Sequence, residues 1–384
     1  MHPRLVLSAG NFFGAVYFSL VLTVYAPYLA QFLPEAQVGL VVSAGALVTL
    51  FAFPYMPRLV RMFGARSLAI MLAFSQALLL SVLALSPGAI VAIASIAAIS
   101  ATAPLIAYLL DLLLEAASDD EAQAGRVRTF YITAASLAYI LGPLVIGAIL
   151  GEGENYALVF LASSLSLTPF IALLALERLP EEAPPRLHTV LDTCHCVWKD
   201  ADLRAVMLAG GILSFFFSLA PLYIPLYLHS VLGFAWQDLG WVFAFMLLPF
   251  LLIEYPAGYI ADRWLGIKEL LLAGFAITGV AFALVGLITS TTPLLLIAGI
   301  LFLTRVGAAL IEAMTESHFF RRVSGSDVAT ISVFRMTRPL GTALGPLVGS
   351  ALLVTGNYVA FFFVTGALIL ALGVFVTLPL KDSR

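Results

Sequence analysis

Five charged side chains lie inside long apolar stretches of this chain: Arg305, Glu312 and Glu316 in one stretch, Arg335 and Arg338 in the next. A charge at mid-bilayer costs roughly 2.5–3.5 kcal/mol on insertion scales, and residues that carry this cost face a cavity or a partner. Arg305, Glu312 and Glu316 stand at i, i+7 and i+11, which at about 100° per residue falls on one helical stripe about 40° wide. Arg335 and Arg338, at i and i+3, also share a face. At a rise of about 1.5 Å per residue from the nearer ends at 319 and 328, Glu312 and Arg335 lie about 10–12 Å deep, Arg338 about 15 Å and Arg305 about 22 Å. Matching depth predicts a Glu312–Arg335 contact. Arg305 and Arg338 then lack an acid at their own level. That suits them to an anionic group of a bound solute, or to a carboxylate that takes up and releases a proton. Asp111 and Glu254 lie about one to two turns from the ends of their stretches. Partial burial raises a carboxylate pKa, so Asp111, like Glu312, is a candidate proton carrier; it could equally snorkel to the interface. Glu254, close to Asp262 and Arg263, is expected to be structural.

The elements that must position these groups are membrane helices. The chain is 62% hydrophobic and 11% charged, against roughly 25% charged in a soluble domain. Apolar stretches of about 18 residues or more recur, each enough to cross a hydrocarbon core of about 30 Å. Backbone groups in lipid must pair within their own segment, and the alternating strands of about 10 residues that mark a β-barrel are not seen. Twelve spans are predicted, near 8–31, 38–60, 68–86, 88–113, 129–150, 156–176, 204–230, 238–260, 268–289, 293–319, 328–354 and 357–379. Of the 19 Lys and Arg, all but Arg305, Arg335 and Arg338 fall on one alternating set of ends and loops. By the positive-inside rule that set, with both termini, is cytoplasmic. A polar segment at 177–203 separates a six-helix half at 1–176 from a second at 204–384. No cleavable signal is expected, because the first apolar stretch follows a short start and runs past signal-peptide length.

The two halves are related. Leu-Gly-Pro-Leu-Val occurs at 141–145 and again at 344–348, 203 residues apart, and each copy is followed by an Asn-Tyr pair. Tyr25-x-Pro27 in span 1 matches Tyr223-x-Pro225 in span 7. Proline removes a helical hydrogen bond and permits bending, and tyrosine gives a binding wall an apolar face with a polar tip. Asn11, Tyr17, Tyr25 and Tyr223 are therefore candidates to line a cavity, whereas Tyr28, Gln31 and His229 suit an interfacial belt. Cys194-His195-Cys196 is too tightly spaced for a zinc pair, so neither a metal nor a cofactor is expected. No phosphate-binding P-loop motif occurs.

Three motifs carry a resemblance. The loop after span 8 reads Gly258, Ile260, Ala261, Asp262, Arg263, Gly266 and Lys268; the loop after span 2 keeps Leu59, Gly64 and Arg66. Span 10 contains Leu301-x-x-x-Arg305-x-x-Ala308-Ala309, and the matching first-half site is near Thr102. Span 5 reads Ala138-x-x-x-Gly142-Pro143-x-x-Ile146-Gly147, and span 11 reads Gly341-x-x-x-Gly345-Pro346-x-x-Gly349-Ser350. With twelve spans in two halves and a long central loop, the whole chain resembles the major facilitator superfamily. The resemblance implies an all-α polytopic fold of two pseudo-symmetric six-helix bundles. It implies a cytoplasmic latch at Gly258, Asp262, Arg263 and Gly266 with Glu254 nearby, in which glycine permits a tight turn. The glycine–proline motifs resemble those of proton-coupled antiporters; small residues at four-residue spacing also serve close helix packing in any bundle.

The expected function is secondary transport by alternating access in the cytoplasmic membrane, with a small-molecule substrate, protons as coupling ion and the lipid bilayer as surroundings. Proton-coupled export of small amphiphilic compounds is one reading and uptake of a sugar or organic anion another. A receptor or enzyme on the same scaffold is disfavoured, because no His/Asp/Ser cluster lies near a membrane face. A monomer without nucleic-acid partners is expected.

Overall fold

The computed structural model describes residues 3–116, 121–177, 197–263, 265–323 and 328–380. Among these residues all regular structure is helical. The first six helices are α1 Pro3–Ala30, α2 Glu35–Phe63, α3 Ala65–Ala84, α4 Ala89–Ala116, α5 Glu121–Leu150 and α6 Tyr156–Leu176. Next come α7 Ala201–Pro225 and α8, which runs from Trp236 to Arg263 in three pieces. The last four are α9 Ile267–Val285, α10 Leu294–Arg322, α11 Val328–Leu353 and α12 Tyr358–Thr377. Ten helices are long and apolar enough to cross a membrane. The other two are the interrupted α8 and α11, which carries Arg335 and Arg338. Each of the twelve expected spans falls on one of these helices.

Interruptions follow proline. In α8 the pieces Trp236–Met246, Leu248–Leu252 and Glu254–Arg263 meet at Leu247 and Ile253. Pro249 and Pro256 lie just beyond those joints and cannot donate to the carbonyl one turn back. In α2, Phe53–Tyr55 tightens to a 3₁₀ turn that contains Pro54. The repeat-related prolines of α1 and α7 behave differently. α1 stays α-helical through Pro27. After Pro225, α7 widens into a π turn over Leu226–Val231, with Leu232 N–H donating to the Tyr227 carbonyl at 3.0 Å.

The helices form two compact units. Unit 1 comprises Met1–Pro34, Ala44–Pro184 and Phe234–Ala244; unit 2 comprises Glu35–Ser43, Pro185–Gly233 and Phe245–Arg384. In unit 1, Tyr28 is buried and meets the rings of Tyr156 at 5.8 Å and Phe160 at 4.8 Å edge to face. It is a core residue, which corrects its assignment to an interfacial belt: period alone did not say that its face of α1 turns toward α6. In unit 2, Tyr223, Tyr227, Tyr358, Phe361 and Phe362 form one aromatic cluster.

The doubled pentapeptide is a packing device in both units. A Cβ at Gly142 would collide with Ser19 of α1, and one at Gly345 would collide with Ser218 of α7. Ser19 Oγ donates to the Tyr139 carbonyl at 3.2 Å, and Ser218 Oγ to the Gly341 carbonyl at 3.4 Å. Between membrane helices, close backbone approach and such hydrogen bonds supply the attraction that apolar burial supplies in water. The next residue, Pro143, carries a second contact: its carbonyl lies 2.8 Å from where a Gly240 Cβ would stand. Overpacking a tight core contact costs about 1–3 kcal/mol. Gly345→Ala should therefore lower the thermal unfolding midpoint of the detergent-purified protein, and adding Ser218→Gly should restore part of the loss. Gly211→Ala on α7, with open space around it, should have little effect.

Candidate functional site

Among the described side chains the charges of α10 and α11 comprise a cluster and a cation apart from it. Arg338 of α11 lies 3.0 Å from Glu316 and 3.7 Å from Glu312 of α10. This corrects the expectation that Arg338 lacks an acid at its level. α10 continues to Arg322, three residues past its expected end, so each acid is about 4.5 Å deeper than estimated and Glu312 reaches the level of Arg338 at about 15 Å. The three side chains are 27–48% exposed, so the cluster is partly accessible. The side chain of Arg335, expected opposite Glu312, lies outside the described residues. Asp111 is exposed.

Arg305 does not join the cluster. It is 4% exposed, and its guanidinium carbon stands 5.0 Å from the centre of the Phe216 ring on α7. Among the described residues its Nε has no hydrogen-bond partner and no carboxylate pairs with it. Behind Phe216 the surroundings are apolar, with Phe282 edge-on at 5.4 Å and Phe217 at 5.8 Å. At the first-half position matching Arg305, Thr102 accepts a hydrogen bond from Gln76 Nε2 at 2.8 Å.

The expected cavity residues are largely enclosed. Asn11 donates to the Tyr131 carbonyl at 3.0 Å. Tyr17 and Tyr25 are buried within unit 1. Tyr223 departs furthest from expectation: it is 0% exposed, and its hydroxyl donates to the Pro346 carbonyl at 3.0 Å beside Ser350. It braces α7 against α11 rather than presenting a hydroxyl to a solute.

At the basic loops two of the motif residues cap helix ends. Arg66, at the start of α3, donates to the carbonyls of Leu174 and Ala175 at the end of α6, both at 2.6 Å. Lys268, at the start of α9, donates to the carbonyls of Leu378 at 2.6 Å and Leu380 at 3.2 Å at the end of α12. A helix C-terminus leaves four carbonyls without partners and carries partial negative charge, and a cation there answers both. Gly64 takes the left-handed backbone (φ 79°) that a tight turn needs. Gly258 lies inside a helix with open space around it, and Gly266 has an ordinary φ of −77°, so the turn-forming role expected of those two is corrected. Arg263 is exposed and stacks over Tyr259 at 4.7 Å. The side chains of Glu254 and Asp262 lie outside the described residues, as do Cys194, His195 and Cys196.

Sequence reasoning missed the Arg66 and Lys268 caps, the Asp202–Arg322 ion pair at 2.6 Å joining α7 to the end of α10, and Gln76. The signal for Gln76 was present as an amide alone in the third span. For the caps, the shared offset between Arg66 and Lys268 was the available sign.

A family model described as Major Facilitator Superfamily matches residues 7–311 and 237–384. Monocarboxylate transporter 13 of Rattus norvegicus is 34% identical over 172 residues, 41% of this chain and 38% of that protein. The Bos taurus protein of the same name is 33% identical over 171 residues, again 41% and 38%. The matched stretch thus spans well under half of either relative. Among solved structures, the nucleoside transporter NupG has a TM-score of 0.75 at 14% identity, covering 99% of this chain and 100% of that one. An auto-inhibited POT family peptide transporter has a TM-score of 0.77 at 14% identity, covering 100% and 98%. A POT peptide transporter in complex with sulfate has a TM-score of 0.75 at 13% identity, covering 97% and 93%. These likenesses establish the fold.

The caps give a test. Charge-assisted hydrogen bonds to carbonyls contribute about 1.5–3 kcal/mol when buried and less when exposed. Arg66→Met and Lys268→Met should each destabilise the purified protein by about 1 kcal/mol in thermal or denaturant unfolding. Arg263→Met, which removes only a stacking contact, should change stability by less than about half of that.

Proposed function

The chain belongs to the Major Facilitator Superfamily, and from that premise we propose that it is a secondary transporter of a small organic anion, with Arg305 as the counter-charge. Members of the family are transporters rather than enzymes. The observation that carries the reading is the isolation of Arg305. A guanidinium stays protonated at every accessible pH, so a buried one keeps its charge and is relieved only by a partner. The face of Phe216 attracts it but does not neutralise it. A solute carboxylate does, through two parallel N–H···O bonds. The partial likeness to proteins named monocarboxylate transporters makes a monocarboxylate the first solute to try. The competing reading, proton-coupled export of small amphiphilic compounds, gives Arg305 a counter-charge only where the compound is anionic, and the glycine–proline motifs that favoured it have a packing role.

We assign coupling to the Glu312–Glu316–Arg338 cluster. A proton added to either carboxylate weakens its hold on the guanidinium and so links protonation to the packing of α10 against α11. The alternation of basic loops supports a cytoplasmic position for this cluster, and we take the protein to act as a monomer in an inner membrane.

The test uses purified protein in proteoliposomes with an imposed pH gradient and labelled monocarboxylates. The wild-type protein should take up label saturably, and dissipating the gradient should abolish accumulation. A lost charge-assisted hydrogen bond is worth about 1.5–3 kcal/mol, so Arg305→Ala should raise KM by about 10–100-fold, with Arg305→Lys intermediate. Unaltered uptake in Arg305→Ala would overturn the reading.

A further inference from the structure

Gln76 lies midway along α3 and is 0% exposed. Its Nε2 donates to Thr102 Oγ1 at 2.8 Å and to the Ile99 carbonyl at 3.3 Å, both on α4. Its Oε1 has no partner among the described residues. Exchanging the oxygen and nitrogen gives no escape, because the Ile99 carbonyl only accepts and so requires the NH₂ group. Among the other buried hydroxyls of unit 1 that lack a partner of acceptable geometry are those of Tyr25 on α1, 2% exposed, and Ser100 on α4. They are neighbours of each other, and Tyr17 stands beside the Gln76 amide. Buried polar atoms are normally satisfied, so three orphans on α1, α3 and α4 require an explanation. Ser100 and Thr102 are only half-buried, so the α4 side of the group is not sealed. Thr102 also stands 203 residues before Arg305, the offset of the doubled pentapeptide. The neutral group in unit 1 therefore occupies the register that the bare cation occupies in unit 2.

We infer that Gln76 Oε1 accepts a hydrogen bond from a hydroxyl of the transported solute, with the Tyr25 and Ser100 hydroxyls as a second polar contact. A neutral donor is specified because Tyr17, Tyr25, Gln76, Ser100 and Thr102 are all uncharged. A buried cationic donor would require an acid. The inference goes beyond the proposed function: it requires only that a solute be transported, not that the solute be an anion.

The experiment compares solutes that differ by one hydroxyl, lactate against propionate, in proteoliposomes. The wild-type protein should favour lactate in kcat/KM. Gln76→Leu should narrow that preference about tenfold, by raising the KM for lactate while leaving propionate unchanged. Tyr25→Phe should narrow it in the same direction. Thr102→Val, which removes a partner of Nε2 and leaves Oε1 in place, should lower stability without changing the preference. If Gln76→Leu fails to fold, Tyr25→Phe together with Thr102→Val still decides the matter. If no carboxylate is carried, the anion reading fails, and the same variants are tested with a hexose against its deoxy analogues. A preference that is unchanged in folded Gln76→Leu or in Tyr25→Phe, or a loss equal for both solutes, overturns the inference and leaves the group a structural brace.

Discussion

Inside an apolar medium a polar group has only the protein to satisfy it. Most features of this structure are answers to that constraint. The carbonyls at the ends of α6 and α12 are met by Arg66 and Lys268. Ser19 and Ser218 donate to backbone carbonyls of α5 and α11. The Tyr358 hydroxyl donates to Glu35 at 2.7 Å, while Tyr227, stacked on its ring, donates to the Ile288 carbonyl. Against that background the unsatisfied groups stand out. Arg305 Nε and Gln76 Oε1 are as deeply enclosed as the satisfied groups, and an Ala or Leu at either position would remove the cost. Retaining a costly polar group where an apolar one would pack is the physical sign of a site that meets something else.

The repeat sharpens this contrast. Both halves use the same scaffold: a glycine of the pentapeptide against a serine of α1 or α7, and a basic residue of the short loop on the last helix of its half. Those shared features are independent of what is carried, since they answer backbone and packing requirements common to any such bundle. What differs lies at the matched register, where unit 1 has Thr102 bonded to Gln76 and unit 2 has Arg305 against Phe216. The ionisable cluster of Glu312, Glu316 and Arg338 also belongs to the second half. Packing is shared, whereas charge is not.

Much of the scaffold could be read from residue types alone. Apolar length gave the helices, proline marked the joints of α8, and the pentapeptide located the close contacts of α5 and α11. The candidate site was legible only in part. Arg305 was found because a charge in an apolar run is visible at any resolution of reasoning. The partner of Arg338 was misjudged because depth rests on a helix end, and three residues at the end of α10 move a carboxylate by about one turn. Tyr28 was misplaced because an aromatic near a helix end looks the same whether its face meets lipid or α6. The caps were invisible for a different reason. A carbonyl acceptor has no sequence signature, and Arg66 finds its carbonyls more than a hundred residues away.

The prolines of α1 and α7 show how one sequence feature acquires two structural outcomes. Pro27 and Pro225 each deprive a carbonyl one turn back of its donor. In α1 the helix continues without a change of type. In α7 a second proline, Pro221, precedes by one turn, so two successive carbonyls on one side lose their donors. The helix then shifts to i→i−5 bonding, and the Leu232 N–H reaches the Tyr227 carbonyl. The wider turn ends at Gly233, whose φ of 78° few other residues would accept. π turns concentrate at functional positions because each adds a residue that the regular ladder must absorb. Here the added residue lies two turns and more beyond Phe216, on the helix that gives Arg305 its only aromatic contact among the described residues. The π turn and the ring that faces the cation thus lie on one helix, with Pro221 and Pro225 between them.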